Sequence, residues 1–197
     1  MDNRRVPTAV FISGRGSNMI NLLDASQAPG YPAEIVLVVS NNTAAEGLGV
    51  AKWRGIPTVA SDHKRRSDLE AVFQEALIQK KVELIALAGY MRVLSPEFVD
   101  RWAGKIINIH PSLLPLYPGL DTHQRALDAG DKQHGCTVHW VIPELDAGEP
   151  ILQARVRILP DDTEATLAQR VLLQEHRIYP LALAQVAQDL QKKANRE

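Results

Sequence analysis

The apolar positions of the chain fall into short continuous runs separated by amphipathic stretches. Residues 8–13, 34–40 and 84–88 are apolar almost throughout, as strands are when both faces of their sheet are covered. Residues 19–25 and 44–54 have the spacing of helices instead. This regular alternation predicts an α/β fold built on a doubly wound, mostly parallel sheet.

Helix-start signals locate two further elements. The tetrapeptide Ser67-Asp68-Leu69-Glu70 has the sequence of a capping box, which predicts a helix beginning after Ser67. The apolar residues of this segment share one helical face: Leu69, Val72, Phe73, Ala76 and Leu77. Ser95-Pro96 predicts a shorter helix with a serine cap and a proline in its first turn. Short strands are predicted over 56–60 and 106–110.

After residue 110 the pattern becomes less regular. Residues 110–119 contain Pro111, Pro115 and Pro118 and are predicted to form a loop. The elements predicted beyond it are helices over 123–129 and 163–178 and strands over 135–141 and 151–158. Pro180 is expected to end or kink the last helix. We therefore expect a single domain over 1–197, with a Rossmann-like half over 1–110 and a smaller C-terminal lobe over 111–190.

Composition narrows the class of protein. The 197 residues include 22 Lys and Arg against 23 Asp and Glu, a formal net charge of −1 that argues against broad binding to nucleic acid or anionic membranes. Cys136 is the one cysteine, which excludes an intramolecular disulfide and a cysteine zinc cluster. Neither a membrane-spanning run of ~18 apolar residues nor a signal peptide is recognisable. We expect a cytoplasmic protein without nucleic-acid or membrane partners.

A glycine-containing segment, Gly14-Arg15-Gly16-Ser17-Asn18, joins the first predicted strand to the first helix. This position presents backbone N–H groups and the positive end of a helix to an anion. Met19 stands where a dinucleotide-binding loop has its third glycine, and the second strand ends in Ser40-Asn41-Asn42, without an acid to bind a ribose. The pattern favours a phosphate monoester over NAD, and a tight strand–helix turn is the alternative.

Asn108 and His110 are two residues apart on one predicted strand, so their side chains share a face at its carboxyl end. An amide N–H beside an imidazole suits the stabilisation of an oxyanion, and the imidazole can also transfer a proton near neutral pH. Asp146, in an acidic turn downstream, would favour the imidazolium if it contacted His110. The alternatives are a structural histidine beside a capping asparagine, and an aspartate that only forms a turn.

Other nucleophile or metal sites have little support. Cys136 lacks a setting that would activate its thiol, and a buried thiol on a strand is the favoured interpretation. His123, His134 and His139 are scattered along the sequence, which disfavours a metal site. His139 alternates with Val138 and Trp140, as a half-exposed strand position does.

Three segments together resemble the folate-dependent formyltransferase family: NIHPSLLP at 108–115, GCTVH at 135–139 and LDAG at 145–148. The resemblance extends from about residue 8 to residue 185. It implies metal-independent transfer of a formyl group from 10-formyltetrahydrofolate to the amine of glycinamide ribonucleotide, a step of purine biosynthesis. It also implies a monomer or weak homodimer, and the chain length disfavours longer sister enzymes with added domains.

The resemblance implies three sets of site residues. The catalytic set is Asn108 and protonated His110, which donate to the oxyanion, and Asp146, which holds His110 charged. The residues expected at the ribotide are Gly16, Ser17, Asn18, Gln174 and Glu175. Those expected at the folate are Arg66, Met91, Arg92, Val93, Leu94, Asn108 and Ile142. Residues 1–110 would thus bind the ribotide phosphate, and 111–190 would complete the folate site.

Several of these implied roles have alternatives. Arg65 is a rival to Arg66 for the folate carboxylate, and either is also explained as a solvated arginine. Glu175 would otherwise be a surface helix residue, and residues 91–94 a turn leaving a strand. At the level of function, the rivals are a formyl-folate hydrolase with the same catalytic residues and a noncatalytic nucleotide-sensing module.

Overall fold

One seven-stranded sheet carries the fold and brings the predicted polar residues to one edge. The computed structural model describes residues 4–194. Its elements are β1 (Val6–Ile12), α1 (Ser17–Ser26), β2 (Ala33–Ser40), α2 (Glu46–Trp53), β3 (Thr58–Ala60), α3 (Arg66–Gln79), β4 (Leu84–Leu87), α4 (Pro96–Arg101), β5 (Ile106–His110), α5 (Thr122–Asp128), β6 (Gln133–Trp140), β7 (Pro150–Arg157) and α6 (Glu164–Ala194).

The strand order is β3-β2-β1-β4-β5-β6-β7, and the pairs from β3 to β5 are parallel. The predicted doubly wound, mostly parallel sheet is confirmed. The chain reverses its direction of travel across the sheet between β1 and β4. In such sheets the crevice at the carboxyl ends of these strands is where ligands bind. The glycine segment follows β1, residues 91–94 follow β4, and Asn108 and His110 end β5.

The residues after 110 continue this sheet. β6 pairs antiparallel with β5, and β7 pairs antiparallel with β6. Helix α6 packs against both of these strands and against α1. The smaller C-terminal part is therefore the antiparallel edge of the sheet together with the longest helix. Its contacts with α1 join the last helix to the first.

Both faces of the sheet are covered by hydrophobic clusters. Val10 and Ile12 of β1 belong to one cluster, whereas Ala9 and Phe11 belong to the other, because successive strand residues point to opposite faces. Tyr179 of α6 is fully buried in the first cluster, and its hydroxyl donates to the carbonyl of Leu87 at 2.8 Å. This bond fixes α6 against the carboxyl end of β4.

The predicted capping box at Ser67 is wrong. Helix α3 begins at Arg66, its N-cap residue is Arg65, and no side chain caps it. Glu70 is buried instead, and its two carboxylate oxygens accept from the backbone N–H and the hydroxyl of Ser95 at 2.7 and 2.6 Å. The carboxylate therefore joins α3 to the start of α4. The predicted serine cap of α4 is confirmed, since Ser95 Oγ accepts from the N–H of Phe98.

Of the two outcomes expected at Pro180, an end to the last helix is wrong. Helix α6 runs through it from Glu164 to Ala194. Proline removes one intrahelical N–H, but Ala182, Leu183 and Val186 beyond it are buried, so their packing maintains the helix. The carbonyl of Pro180 itself accepts from the hydroxyl of Tyr31 at 2.7 Å.

Candidate active site

Asn108 and His110 lie on the face of β5 that the sequence predicts. The antiparallel register of β5 and β6 places His139 opposite Asn108 and Thr137 opposite His110. Directly opposed residues have their side chains on the same face of the sheet. Two neighbouring strands therefore contribute an amide, two imidazoles and a hydroxyl to one patch at the carboxyl end of β5.

The imidazole of His139 is hydrogen-bonded to the amide of Asn108. Its Nδ1 is 2.8 Å from the carbonyl oxygen of Trp140, an acceptor, so Nδ1 carries a proton. Burial lowers the pKa of His139, which favours the neutral ring. Nε2 is then an acceptor, and it receives a hydrogen bond from Asn108 Nδ2 at 3.2 Å. The second N–H of the Asn108 amide is left for another acceptor.

Both ring nitrogens of His110 face oxygen acceptors. Nε2 donates to the carbonyl of Tyr117 at 2.9 Å, and Nδ1 lies 3.4 Å from Asp146 Oδ2. The histidine side chain is 7% exposed and that of Asp146 8% exposed, so water screens this pair little. The doubly protonated imidazolium has a donor for each acceptor, which suits a cation held beside a carboxylate.

Asp146 reaches His110 from the turn between β6 and β7. Its backbone has a φ of 51°, in the left-handed region that turn aspartates tolerate. Oδ2 also accepts from the N–H of Gly119 at 2.8 Å, and Oδ1 lies 3.7 Å from His139 Nε2. The carboxylate thus joins the 110–119 loop to His110. The contact with His110 that the sequence left open is present.

His139 is a member of the candidate site that sequence reasoning missed. The expectation of a half-exposed strand position is wrong, because its side chain is 2% exposed. The available signal was the alternation of Thr137 and His139 with apolar Cys136 and Val138. That alternation predicts one polar face, but only the pairing register with β5 shows that this face meets Asn108.

The glycine segment forms the N-terminus of α1 as an anion site requires. Gly16 is the N-cap residue and has a φ of 76°. The first intrahelical bond runs from the N–H of Ile20 to the carbonyl of Gly16. The N–H groups of residues 17–19 precede that bond and have no intrahelical partner. Gly47 of α2 supports the segment from behind, since its N–H donates to the carbonyl of Gly14 at 3.1 Å.

Two residues expected at the ribotide meet although they are far apart in sequence. Asn18 Nδ2 donates to Glu175 Oε2 at 2.6 Å, and both residues are 8% exposed. Asn18 Oδ1 is buried without a hydrogen-bond partner. Burial raises the pKa of Glu175, and the hydrogen bond from Asn18 offsets part of that rise. A polar, largely dry pair therefore lies at the start of α1, where a substrate group could complete its hydrogen bonds.

We expect Glu175→Gln to stabilise the fold at neutral pH. The folded-state pKa of Glu175 lies above its ordinary value, because the buried carboxyl resists ionisation. The fold therefore loses stability as the pH rises from the ordinary pKa of a glutamate to the folded-state pKa. A glutamine removes this loss, and its oxygen still accepts from Asn18. The gain in unfolding free energy is expected to vanish below about pH 4, where the carboxyl is protonated in both states.

Urea denaturation of both proteins from acidic to neutral pH measures this gain. Glu34→Gln on β2 is the matched control, because Glu34 is exposed and the same neutralisation there should change stability little. An equal stability difference for Glu175→Gln at every pH would contradict the assignment.

The residues expected at the folate divide into exposed and structural ones. Met91, Val93 and Ile142 are 66%, 58% and 39% exposed, an apolar surface that an aromatic ring would cover. Leu94 is 7% exposed and belongs to the core, so a ligand would meet its backbone. The guanidinium of Arg92 donates to the carbonyls of His63 and Lys64 at 2.9 and 3.0 Å. It holds the loop before α3 against the segment after β4.

Arg65 and Arg66 lie together at the start of α3 and are both exposed. Arg65 Nε is 3.9 Å from Asp68, a weak surface ion pair. Both arginines line a groove of about 920 Å³ between α3 and α4.

Gln174, expected at the ribotide, is half-buried on α6 beside Glu175.

The remaining candidates for chemistry are not assembled into a site. Cys136 is fully buried, and burial raises the pKa of its thiol to about 12, as an inert core cysteine requires. His123 and His134 contact each other at 3.2 Å, and burial lowers the pKa of both.

Within residues 4–194, no cluster of three or more His, Cys, Asp or Glu side chains could hold a metal ion. No helix in that span is long and apolar enough to cross a membrane.

Comparison with known proteins identifies relatives across nearly the whole chain. The trifunctional purine biosynthetic protein adenosine-3 of Drosophila melanogaster is 48% identical over 189 residues, which are 93% of this chain and 14% of that protein. The chain thus spans about one seventh of that relative's length. Phosphoribosylglycinamide formyltransferase of Haemophilus influenzae is 46% identical over 178 residues, which are 89% of this chain and 84% of that protein.

The fold is shared with the same relatives. The crystal structure of phosphoribosylglycinamide formyltransferase from Brucella melitensis superposes with a TM-score of 0.89 at 52% identity, over 93% of this chain and 96% of that one. The sequence profile described as formyl transferase matches residues 6–183, well over half of the 197 residues. This chain belongs to the formyl transferase family.

Proposed function

We propose that this protein transfers the formyl group of 10-formyltetrahydrofolate to the primary amine of glycinamide ribonucleotide, a step of purine biosynthesis. The observation that carries the proposal is the arrangement of half-buried Asn108 with the largely buried side chains of His110 and Asp146 at the carboxyl end of β5. It combines an amide donor, an imidazole and a carboxylate, which are the groups that acyl transfer to an amine requires. Relatives that bear the name of this activity support it.

The substrate phosphate is proposed to bind at the N-terminus of α1. The N–H groups of Ser17 and Asn18 and the positive end of the helix provide local anion binding. A net charge of −1 does not prevent the binding of an anionic substrate, since the phosphate is bound locally at this helix end. Glu175 and Gln174 are proposed to bind the rest of the ribotide from α6, so both halves of the chain contribute to this site.

The folate is proposed to lie against the apolar surface of Met91, Val93 and Ile142. Leu94 would contribute its backbone, and Arg92 would keep the neighbouring loop in place. Arg66 or Arg65 would meet the glutamate carboxylate of the folate. When bound, 10-formyltetrahydrofolate supplies the formyl group, and its N10 is the leaving group.

The catalytic residues are proposed to stabilise charge and direct a proton. Attack of the substrate amine on the formyl carbon gives a tetrahedral centre with a negative oxygen. Asn108 Nδ2 and protonated His110 donate to that oxygen, and Asp146 keeps His110 charged. Asp146 also orders a water that carries the amine proton to N10 as its bond to carbon breaks. His110 Nε2 must exchange the Tyr117 carbonyl for the oxyanion.

The decisive experiment supplies purified protein with 10-formyltetrahydrofolate in the presence and absence of glycinamide ribonucleotide. We expect tetrahydrofolate to form only when the ribotide is present, in equal amount to the formylated ribotide. The same preparation of Asn108→Ala is the control, because its loss of activity excludes a contaminating enzyme.

Two other results would replace the proposal. Release of formate and tetrahydrofolate without the ribotide would indicate a formyl-folate hydrolase that uses the same residues. Binding of the ribotide without any transfer, measured by calorimetry, would indicate a noncatalytic nucleotide-sensing module.

A further inference from the structure

The hydrogen bonds of His139 form a directional chain that ends at the catalytic amide. The carbonyl of Trp140 only accepts, so His139 Nδ1 must donate to it. In the neutral ring, Nε2 only accepts, so the group of Asn108 that faces it must be the NH₂. Each bond in this chain sets the direction of the next one.

We propose that His139 is a positioning residue that selects the orientation of the Asn108 amide in which an N–H points at the oxyanion. With the amide rotated by half a turn, Asn108 Oδ1 would face the lone pair of His139 Nε2. That arrangement would leave two acceptors opposed and would present an oxygen to the developing negative charge. The inference rests on the proposed formyl transfer and assigns to it a residue beyond the catalytic set.

The surroundings of His139 favour this role over simple core packing. The side chain is 2% exposed and lies 3.7 Å from Asp146 Oδ1, beyond hydrogen-bond distance. A neutral Nε2 has no proton to offer that carboxylate, so the Asn108 N–H is its partner. Gly148 packs against the Trp140 carbonyl so closely that a Cβ would lie 1.7 Å from its oxygen. The acceptor that fixes the tautomer is therefore itself held in place.

Two substitutions of His139 distinguish the role of its Nε2 as a hydrogen-bond acceptor from the packing of its side chain. The His139→Gln side chain is long enough to place an oxygen acceptor near the position of Nε2. The His139→Asn side chain can still donate to the Trp140 carbonyl but is too short to reach Asn108. We expect His139→Asn to lower kcat by roughly 10- to 100-fold, less than the ~10²–10³-fold effect of losing an oxyanion donor. We expect His139→Gln to recover most of that loss, with KM for both substrates unchanged.

A double-mutant cycle tests whether the effect passes through Asn108. In an Asn108→Ala background His139 has no amide left to orient, so we expect His139→Asn to change kcat by no more than about twofold. A change of that size is within the usual error of additivity between mutations. An undiminished loss in that background would overturn the proposal and assign His139 to Asp146 instead. Equal kcat for His139→Asn and wild type would overturn it as well. Thermal unfolding of both variants shows whether either has lost its fold.

A measurement without turnover keeps this inference separate from the proposed function. NMR of the imidazole nitrogens should show His139 protonated at Nδ1 and bare at Nε2 at neutral pH. The side-chain amide protons of Asn108 should exchange with water faster in His139→Asn than in wild type or His139→Gln. Should the wild-type protein lack transferase activity, the proposed function fails while this test remains valid. A bare Nδ1, or equal exchange in all three proteins, would overturn the positioning role.

Discussion

His110→Ala should lower kcat by about 10²–10³, the loss expected when one donor to a developing oxyanion is removed. His110 can carry positive charge as well as donate, because both its ring nitrogens face acceptors. Alanine leaves Asp146 without its cationic partner and the transition-state oxygen with the Asn108 N–H alone. The effect should fall on kcat, because neither the α1 N-terminus nor the surface at Met91 is altered.

Steady-state kinetics with saturating ribotide and varied 10-formyltetrahydrofolate measure this loss. His63→Ala is the matched control, since His63 is exposed and bonds through its backbone, whose carbonyl accepts from Arg92 and whose N–H donates to Ser61. His110 is buried, so its removal also disturbs packing, and calorimetric binding of the ribotide shows whether the fold has survived. A kcat close to that of wild type would refute the role of His110.

Gly148→Ala should destabilise the protein by about 1–3 kcal/mol and lower activity as well. The added Cβ would lie 1.7 Å from the carbonyl oxygen of Trp140, so the backbone must move. That carbonyl is the acceptor of His139 Nδ1, and Gly148 lies two residues after Asp146 in the same turn. The added methyl group therefore displaces both the Trp140 carbonyl, which accepts from His139, and the turn that holds Asp146.

Urea denaturation and kcat measured on the same samples check both parts of this prediction. Gly49→Ala is the matched control, because Gly49 lies within α2 with open space around its Cα. Alanine there should stabilise the fold by about 0.5–1 kcal/mol through its helix propensity and leave kcat unchanged. Wild-type stability and activity in Gly148→Ala would show that the turn relaxes without consequence.

The strands of this protein could be predicted because their signal is local. Buried parallel strands are continuous apolar runs, and residues 34–40 and 84–88 are such runs. The serine cap of α4 is equally local, since Ser95 bonds to a backbone N–H three residues away. The capping box at Ser67 has the same local form but is not used, because a distant partner, Ser95, competes for Glu70.

The candidate catalytic residues could be predicted only in part from the sequence. Asn108 and His110 share a face because strand side chains alternate, which needs no knowledge of neighbours. The contact of Asp146 with His110 and that of His139 with Asn108 depend on the register of β6 against β5. A shift of one residue in that register would have turned His139 to the opposite face.

By itself, the sequence determined the α/β class, the strand end that holds Asn108 and His110, and the strand–helix turn around Gly16. These follow from periodicity and backbone chemistry, which act over a few residues. The tertiary structure alone decided that Asn18 meets Glu175, that Asp146 faces His110, and that His139 contacts Asn108. Such contacts join residues 31 to 157 positions apart, and the packing of sheet and helices selects them.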